Sequence, residues 1–556
     1  MNKNNLKKAR NEGEMKMKKK KVVMVVLVAS FLFNLLTACA NDYNNANCEA
    51  VTYYDLEEEP FYEVTQQNEG VEQNTEELEA MDMESKMEDF NTEEYNAIVE
   101  NRYMSVQNNP LSTFSADVDT ASYSNVRRMI NDGQIVTPDA VRLEEMINYF
   151  KYDYKRPTGE DPFSVTPELV DCPWNSQSKL LSIGINAKDI DYSEMPDSNL
   201  VFLIDVSGSM SDEDKLPLLI TAFSLLTENL SHNDRVSIVT YAGADSVVLE
   251  GAKGSEKDTI ISALENLTAS GSTNGADGIN TAYKLANEYF IEDGNNRVIL
   301  ATDGDLNVGI TSEGDLTLLV EEKRESGVFL SVLGFGVGNI KDNKMEALAD
   351  NGNGNYGYID SVLEAKKILM EEMGGTLFTV AKDVKFQVEF NPAIVKGYRL
   401  IGYENRLLNE EDFNDDTKDA GEIGAGHRLM AMYEIVLLNS EIEIPESDLK
   451  YQREKDTVFS SEWLTVNIRY KEPDAEESIL LSFPVSEEQY TETPSENVLF
   501  ATSVVEFGML LRDSTYIGSA NYDSIIETLG DLDCVEQDVY KDEFYSLVKK
   551  YARMVD

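Results

Sequence analysis

The chain has 556 residues, 102 of them acidic and 48 basic, giving a formal net charge of −54 and a pI near 4.3. So acidic a balance excludes nucleic-acid binding, which needs a basic face, and a polybasic grip on anionic lipid. With two histidines, His232 and His427, sites built on several imidazoles and most Ser-His-Asp catalysis are excluded as well.

In chain order, "KMKKKK" is a basic n-region and "VVMVVLVASFLFNLL" an apolar run of 15 residues, too short to span a bilayer comfortably. "LTAC" follows at Leu36–Cys39. This resembles the lipobox of bacterial lipoproteins, and the resemblance implies that Cys39 is lipidated after cleavage just before it. Residues 1–38 are then a lipoprotein signal peptide, and the mature protein sits at the cell membrane, lipid-anchored on the extracytoplasmic face. An ordinary signal peptide with a chance cysteine is the alternative. The long n-region leaves Met15 and Met17 as alternative starts.

From Glu49 to Glu100 there are 18 acidic residues and one basic residue, Lys86. Such a stretch buries too little apolar surface to offset its chain entropy, so residues 39–105 are expected to be an acidic disordered tether. Cys48, Cys172 and Cys534 remain beside Cys39. At most one disulfide is possible; a Cys172–Cys534 pair and two free thiols both stay open.

Residues 106–160 read as two helices. Asp119 or Thr120 caps the first, Gly133 ends it, and Thr137-Pro138 opens the second. Asp117-Val118-Asp119-Thr120 imitates the DxDxT nucleophile motif of haloacid-dehalogenase-type phosphatases. It is rejected, because the polar "LSTFSA" precedes it in place of a long buried strand and helix capping explains both carboxylates. "FSVTPELVDCPW" and "KLLSIGINAKDI" are two strands within 161–195.

Over 196–375 strand and helix alternate, from "LVFLID" and "KLPLLITAFSLLTENL" to "GNYGYID" and "VLEAKKILMEEMGG". Leu216, Leu219, Ile220, Phe223 and Leu226 follow the spacing of one buried helix face. Strands apolar throughout, with helices between them, predict a doubly wound α/β domain with a mostly parallel sheet covered on both faces. Residues 376–488 are rich in strands; since strands also precede the α/β domain, that domain is expected to be inserted in a β-sandwich. Residues 489–556 read as a C-terminal helical bundle in which Phe544, Leu547, Val548 and Tyr551 share a face.

The chemistry concentrates in "NLVFLIDVSGSM". In an open parallel sheet, ligands bind beyond the carboxyl ends of the strands, where strand order reverses. Asp205, Ser207 and Ser209 stand at such an end. "SGSTNGADG" adds Thr273, 68 positions after Asp205, and "RVILATDGD" adds Asp303, a further 30 on. Carboxylate and hydroxyl oxygens suit a hard cation such as Mg²⁺. A plain N-cap turn accounts for the two serines, but not for Asp205 or the other two loops.

These five residues resemble the metal-ion-dependent adhesion site (MIDAS) of the von Willebrand factor type A (VWA) fold, a Rossmann-like architecture. The resemblance implies that Asp205, Ser207, Ser209, Thr273 and Asp303 bind Mg²⁺, or Mn²⁺ or Ca²⁺. "TFSADVDTASYSNVRRMINDGQIVTPDAVRLEEMINYF" and "GGTLFTVAKDVKFQVEFNPAIVKGYRLIGYEN" resemble the flanks of bacterial YfbK-like VWA lipoproteins, over roughly Leu111 to the C-terminus. "GFGVGN" at Gly334–Asn339 lacks the third glycine and helix start of a dinucleotide fingerprint and reads as a strand end.

Two carboxylates and three hydroxyls leave a metal position open for a partner's Asp or Glu. The expected function is therefore non-enzymatic: adhesion, scaffolding or assembly through a protein ligand's carboxylate, at a membrane held by the lipid anchor and without nucleic acid. A metal-dependent hydrolase, or a chaperone or assembly partner of an exported complex, is the alternative. Against hydrolysis stand the lack of a positioned base, of a nearby histidine and of a second metal cluster.

Overall fold

A computed structural model describes residues 95–555 apart from 117–118, 160, 190–195, 243–244, 272–274, 305–312, 338–340, 373–378, 419, 446–460 and 474. The export signal, Cys39, Cys48, the acidic stretch through Glu94 and Thr273 lie outside the described residues.

The first described residues, expected in the tether, are docked on the protein. Ile98 N–H donates to Asp139 Oδ1 at 3.0 Å and Asn101 Nδ2 to the Gly402 carbonyl at 2.8 Å. Two short strands follow, β1 (Met104–Ser105) and β2 (Leu111–Ser115). "LSTFS" is thus a strand despite its polarity. Its hydroxyls are buried in polar contacts: Thr113 Oγ1 accepts from Gln387 Nε2 of the neighbouring strand at 3.0 Å, and Ser112 Oγ accepts from Tyr433 Oη of the facing sheet at 3.0 Å.

The helix Ala121–Asn131 begins at Thr120 and is followed by Gly133 at φ +72°. Contrary to the sequence reading, capping does not account for Asp119. Thr120 makes no side-chain cap bond, and the Asp119 carboxylate accepts Tyr356 N–H at 3.1 Å and pairs with Arg406 at 3.0 Å. The expected second helix is split into a 3₁₀ turn, Pro138–Ala140, and a six-residue helix, Leu143–Asn148. Next come β3 (Phe163–Asp171) and β4 (Lys179–Ala187), paired antiparallel.

The inserted α/β unit contributes β5 (Ser198–Asp205), β6 (Arg235–Tyr241), β7 (Asp245–Lys253), β8 (Asn295–Thr302), β9 (Phe329–Phe335) and β10 (Tyr356–Ile359). Their order is β10-β9-β8-β5-β6-β7. All neighbours are parallel except β6 and β7. β5 and β8 are buried along their whole lengths, as helix-covered strands must be. β7 escaped the sequence reading because it is an exposed edge strand broken by Gly251 at φ +56°. The helix Leu216–Glu228 buries Leu216, Leu219, Phe223 and Leu226 against the sheet, with Ile220 at the margin.

β11 (Thr379–Phe390), β12 (Val395–Ile401), β13 (Gly421–Gly424), β14 (Arg428–Leu437), β15 (Glu462–Lys471) and β16 (Ile479–Ser486) complete the β-region. One antiparallel sheet runs β1-β12-β14-β4-β3; the other runs β13-β11-β15-β16 with β2 beside β11. They enclose a common core that includes Phe114, Ile183, Phe386 and Tyr433. Each sheet draws strands from both sides of the α/β unit, so that unit is inserted in a β-sandwich, as the sequence suggested.

The C-terminal helices Glu496–Leu511, Tyr522–Gly530, Asp533–Gln537 and Val539–Val555 share one core with the N-terminal helices through Tyr123, Phe150, Phe500 and Phe544. Arg142, which is buried, and Arg406, which is half-buried, tie the flanking regions to the inserted unit. Arg142 binds Glu145 at 2.8 Å, Asp342 at 2.7 Å and Glu346 at 3.1 Å. Arg406 reaches from the sandwich to Glu346 at 3.3 Å and Asp350 at 3.0 Å. Cys172 is buried, Cys534 is half-buried, and both are free.

Candidate functional site

β5 lies between β6 and β8, so the chain leaves it in one direction and returns on the other side. A cleft opens at such a reversal, beyond the carboxyl ends of the strands. Asp205 is the last residue of β5 and is fully buried. Its Oδ1 accepts Ser207 N–H at 2.8 Å and its Oδ2 accepts the Thr302 hydroxyl, from the end of β8, at 3.2 Å. Gly304 N–H donates to the same Thr302 Oγ1 at 3.2 Å, fixing the hydroxyl whose bond to Asp205 ties the two strand ends together. Burial pushes the Asp205 carboxyl up to about 6; the neighbouring Asp303 charge adds to this, and the bonds from Ser207 and Thr302 oppose it.

Past Asp205 the chain turns through a short 3₁₀ segment, Gly208–Ser211. The turn brings the Ser207 and Ser209 hydroxyls to 2.9 Å from each other. The loop that leads to Thr273 is stitched to this turn: Gly208 N–H donates to the Gly271 carbonyl at 3.2 Å and Ser270 N–H to the Val206 carbonyl at 2.6 Å. Asp303, directly after β8, is fully buried. Asp205, Ser207, Ser209 and Asp303 therefore gather at one end of the sheet; Thr273 lies outside the described residues.

The sequence reading did not single out Lys215. Its ammonium donates to the Ser209 carbonyl at 3.0 Å and to Asp303 Oδ2 at 3.1 Å, and the residue is 5% exposed. A lysine just ahead of an apolar helix face reads as solvated; only the pairing of β8 with β5 brings Asp303 beneath it. Gly336 carried a signal. At φ +78° it lies against the Lys215 stem, and a methyl group there would stand 2.5 Å from Cγ and 2.8 Å from Cδ. Part of the "GFG" run is thus clearance for this lysine.

The donor set fits a hard divalent cation. Its carboxylates converge with two hydroxyls, and a cationic side chain already rests on one of them. Among the described residues no group of three or more His, Cys, Asp or Glu side chains is arranged to hold a metal, so any ion here depends on the hydroxyls as well. Neither histidine joins the site: His232 is exposed in the loop before β6, and His427 lies between β13 and β14.

Residues 199–371 match the von Willebrand factor type A domain, residues 89–182 match a family described as von Willebrand factor, and residues 375–554 match the C-terminal region of uncharacterized protein YfbK. Uncharacterized protein YfbK of Escherichia coli K12 is 43% identical over 470 residues, 82% of this chain and 81% of that protein. Uncharacterized protein sll0103 of Synechocystis is 25% identical over 317 residues, 56% of this chain and 70% of that protein. A solved von Willebrand factor type A protein from Catenulispora acidiphila is 14% identical, with a TM-score of 0.37, over 64% of this chain and 80% of that one. The α/β unit is the doubly wound, mostly parallel sheet that the sequence led us to expect, and the likeness to YfbK runs through the flanks as well: the chain belongs to the YfbK-like family of proteins that contain a von Willebrand factor type A domain.

Proposed function

We propose that the chain is an extracytoplasmic binding protein, anchored through lipid on Cys39, that captures a protein ligand through a divalent cation held by Asp205, Ser207, Ser209, Thr273 and Asp303. One observation carries this reading: the buried carboxylates of Asp205 and Asp303 flank two serine hydroxyls 2.9 Å apart at the switch point of the sheet. A divalent ion bound there supplies an electrophilic position for an incoming Asp or Glu carboxylate. The chain's own groups prepare it. Ser207 N–H and the Thr302 hydroxyl fix the Asp205 carboxylate, and the 3₁₀ turn presents both serine oxygens to the same point.

On this reading the protein is not an enzyme. Among the described residues near the site, the one nitrogen base is Lys215, whose ammonium is engaged with Asp303 and the Ser209 carbonyl. The test is titration of the mature chain with Mg²⁺ and Mn²⁺ by calorimetry, then capture of envelope proteins by immobilised chain with Mg²⁺ or with chelator. One-to-one metal binding and chelator-sensitive capture that Asp205→Ala abolishes are expected. Metal binding unchanged in Asp205→Ala would sink the proposal.

A further inference from the structure

Lys215 is the one cationic side chain among the described residues that touches the candidate metal site, and its surroundings are built for it. An ammonium taken out of water is costly unless it is paired. Here the pairing carboxylate is Asp303, one of the proposed ligands, at 3.1 Å, and the second acceptor is the carbonyl of Ser209, another of them, at 3.0 Å. Asp212 is a lesser partner at 3.9 Å, with a side chain 69% exposed. Gly336, at φ +78°, clears the stem. Its carbonyl is held in turn by Tyr358 Oη at 2.7 Å. An unbranched stem threaded past a glycine, with its head on two site residues, is a positioned charge.

Charge counting gives the consequence. Asp205 and Asp303 bring two negative charges and Lys215 returns one. A divalent ion then leaves the loaded site positive by one charge, where without Lys215 it would be neutral. We propose that Lys215 is an internal counter-cation of the metal site. It holds Asp303 and the Ser209 turn together when no metal is bound, weakens divalent-cation binding, and keeps the loaded site positive so that a ligand carboxylate completes its neutrality. The proposal rests on the metal-site reading above and explains how a chain of net charge −54 attracts an anionic group locally.

The test uses the mature chain, wild type and Lys215→Met, titrated with Mg²⁺ and melted in chelator and in saturating Mg²⁺. A unit charge about 5 Å from the ion is worth a tenfold change or more in affinity even at high dielectric. Lys215→Met should therefore bind Mg²⁺ at least about tenfold more tightly and melt lower than wild type in chelator, with the deficit reduced in Mg²⁺. Equal or weaker Mg²⁺ binding in Lys215→Met overturns the proposal. If that variant does not fold, Lys215→Gln carries the same comparison. A double-mutant cycle of Lys215→Met with Asp303→Asn, melted in chelator, reads the pair without metal. Non-additive losses are expected, and additive ones overturn the counter-cation role. Failure of wild type to bind Mg²⁺ while the cycle stays non-additive would dismiss the metal site alone.

Discussion

Arg127 Nη2 lies 2.7 Å from Glu364 Oε2, although 237 positions separate them and neither side chain reaches solvent. The same guanidinium donates through Nε to Asp360 at 2.8 Å and through Nη1 to Tyr149 Oη at 2.9 Å and Glu543 at 3.0 Å. Tyr149 Oη donates onward to Glu364 at 2.7 Å. One side chain thereby binds the N-terminal helices, the end of the inserted unit and the last helix. Removing it strands the buried Glu364 carboxylate. Arg127→Met should cost about 3–5 kcal/mol in denaturant unfolding; a loss below about 1 kcal/mol would mean that the surrounding aromatic core, and not the ion cluster, holds these segments.

The two site carboxylates should respond differently to neutralisation in chelator. Asp205 is buried with hydrogen-bond donors but no ammonium on it, so Asp205→Asn keeps the shape and relieves a desolvated charge. Asp303→Asn leaves the Lys215 ammonium without its buried anion, with only the exposed Asp212 at 3.9 Å. Thermal melting should show Asp205→Asn at or above wild type and Asp303→Asn below it by roughly 1–3 kcal/mol. Both should lose Mg²⁺ binding. The reverse order of melting points would mean that Lys215 does not depend on Asp303.

Glu506 tests the helical layer. It is buried in Glu496–Leu511 with no ion-pair or hydrogen-bond partner among the described residues, and burial pushes its carboxyl up from 4.5 to about 7. A carboxyl raised in the folded state keeps its proton there while the unfolded chain loses it. The associated stability is fully present below about pH 4.5, falls as pH rises to about 7, and stays flat above. Glu506→Gln should remove that slope and raise stability at pH 8 by roughly 1–3 kcal/mol. Parallel stability–pH curves for the two proteins would show that the carboxyl is not perturbed.

Anchoring has a separate test. Among the described residues no helix is long and apolar enough to cross a membrane. Cys39→Ala should abolish acyl labelling and move the protein from the membrane to the soluble fraction. Retention on membranes in high salt would point to an anchor other than lipid on Cys39.

The strands of the inserted unit were legible because burial on both faces leaves a nearly continuous apolar run, as in "LVFLID". The candidate site was legible because Asp205 and Asp303 sit where such runs stop. β2 was not, because its polarity is answered by Gln387 and Tyr433, far along the chain. β7 was not, because an exposed edge imposes no apolar period. Asp119, Arg127 and Lys215 have ordinary surface identities, and only closure of the tertiary structure turns them inward. Pairwise charge burial leaves no periodic trace in one sequence.

The interleaved sandwich also sets an order of events. Thr113 and Gln387, neighbours across β2 and β11, are 274 positions apart. At about 5–20 residues per second of synthesis, Thr113 waits roughly 14–55 seconds for its partner to be made. The inserted unit, built from sequence-adjacent βα pieces, closes its loops over short distances and has time to fold first. Until β11 emerges, β2 has no neighbour to pair with and remains a bare strand edge. Nascent chains stalled when the inserted unit has left the ribosome and β11 has not should therefore hold a folded, protease-resistant inserted unit behind a sticky, protease-sensitive N-terminal arm.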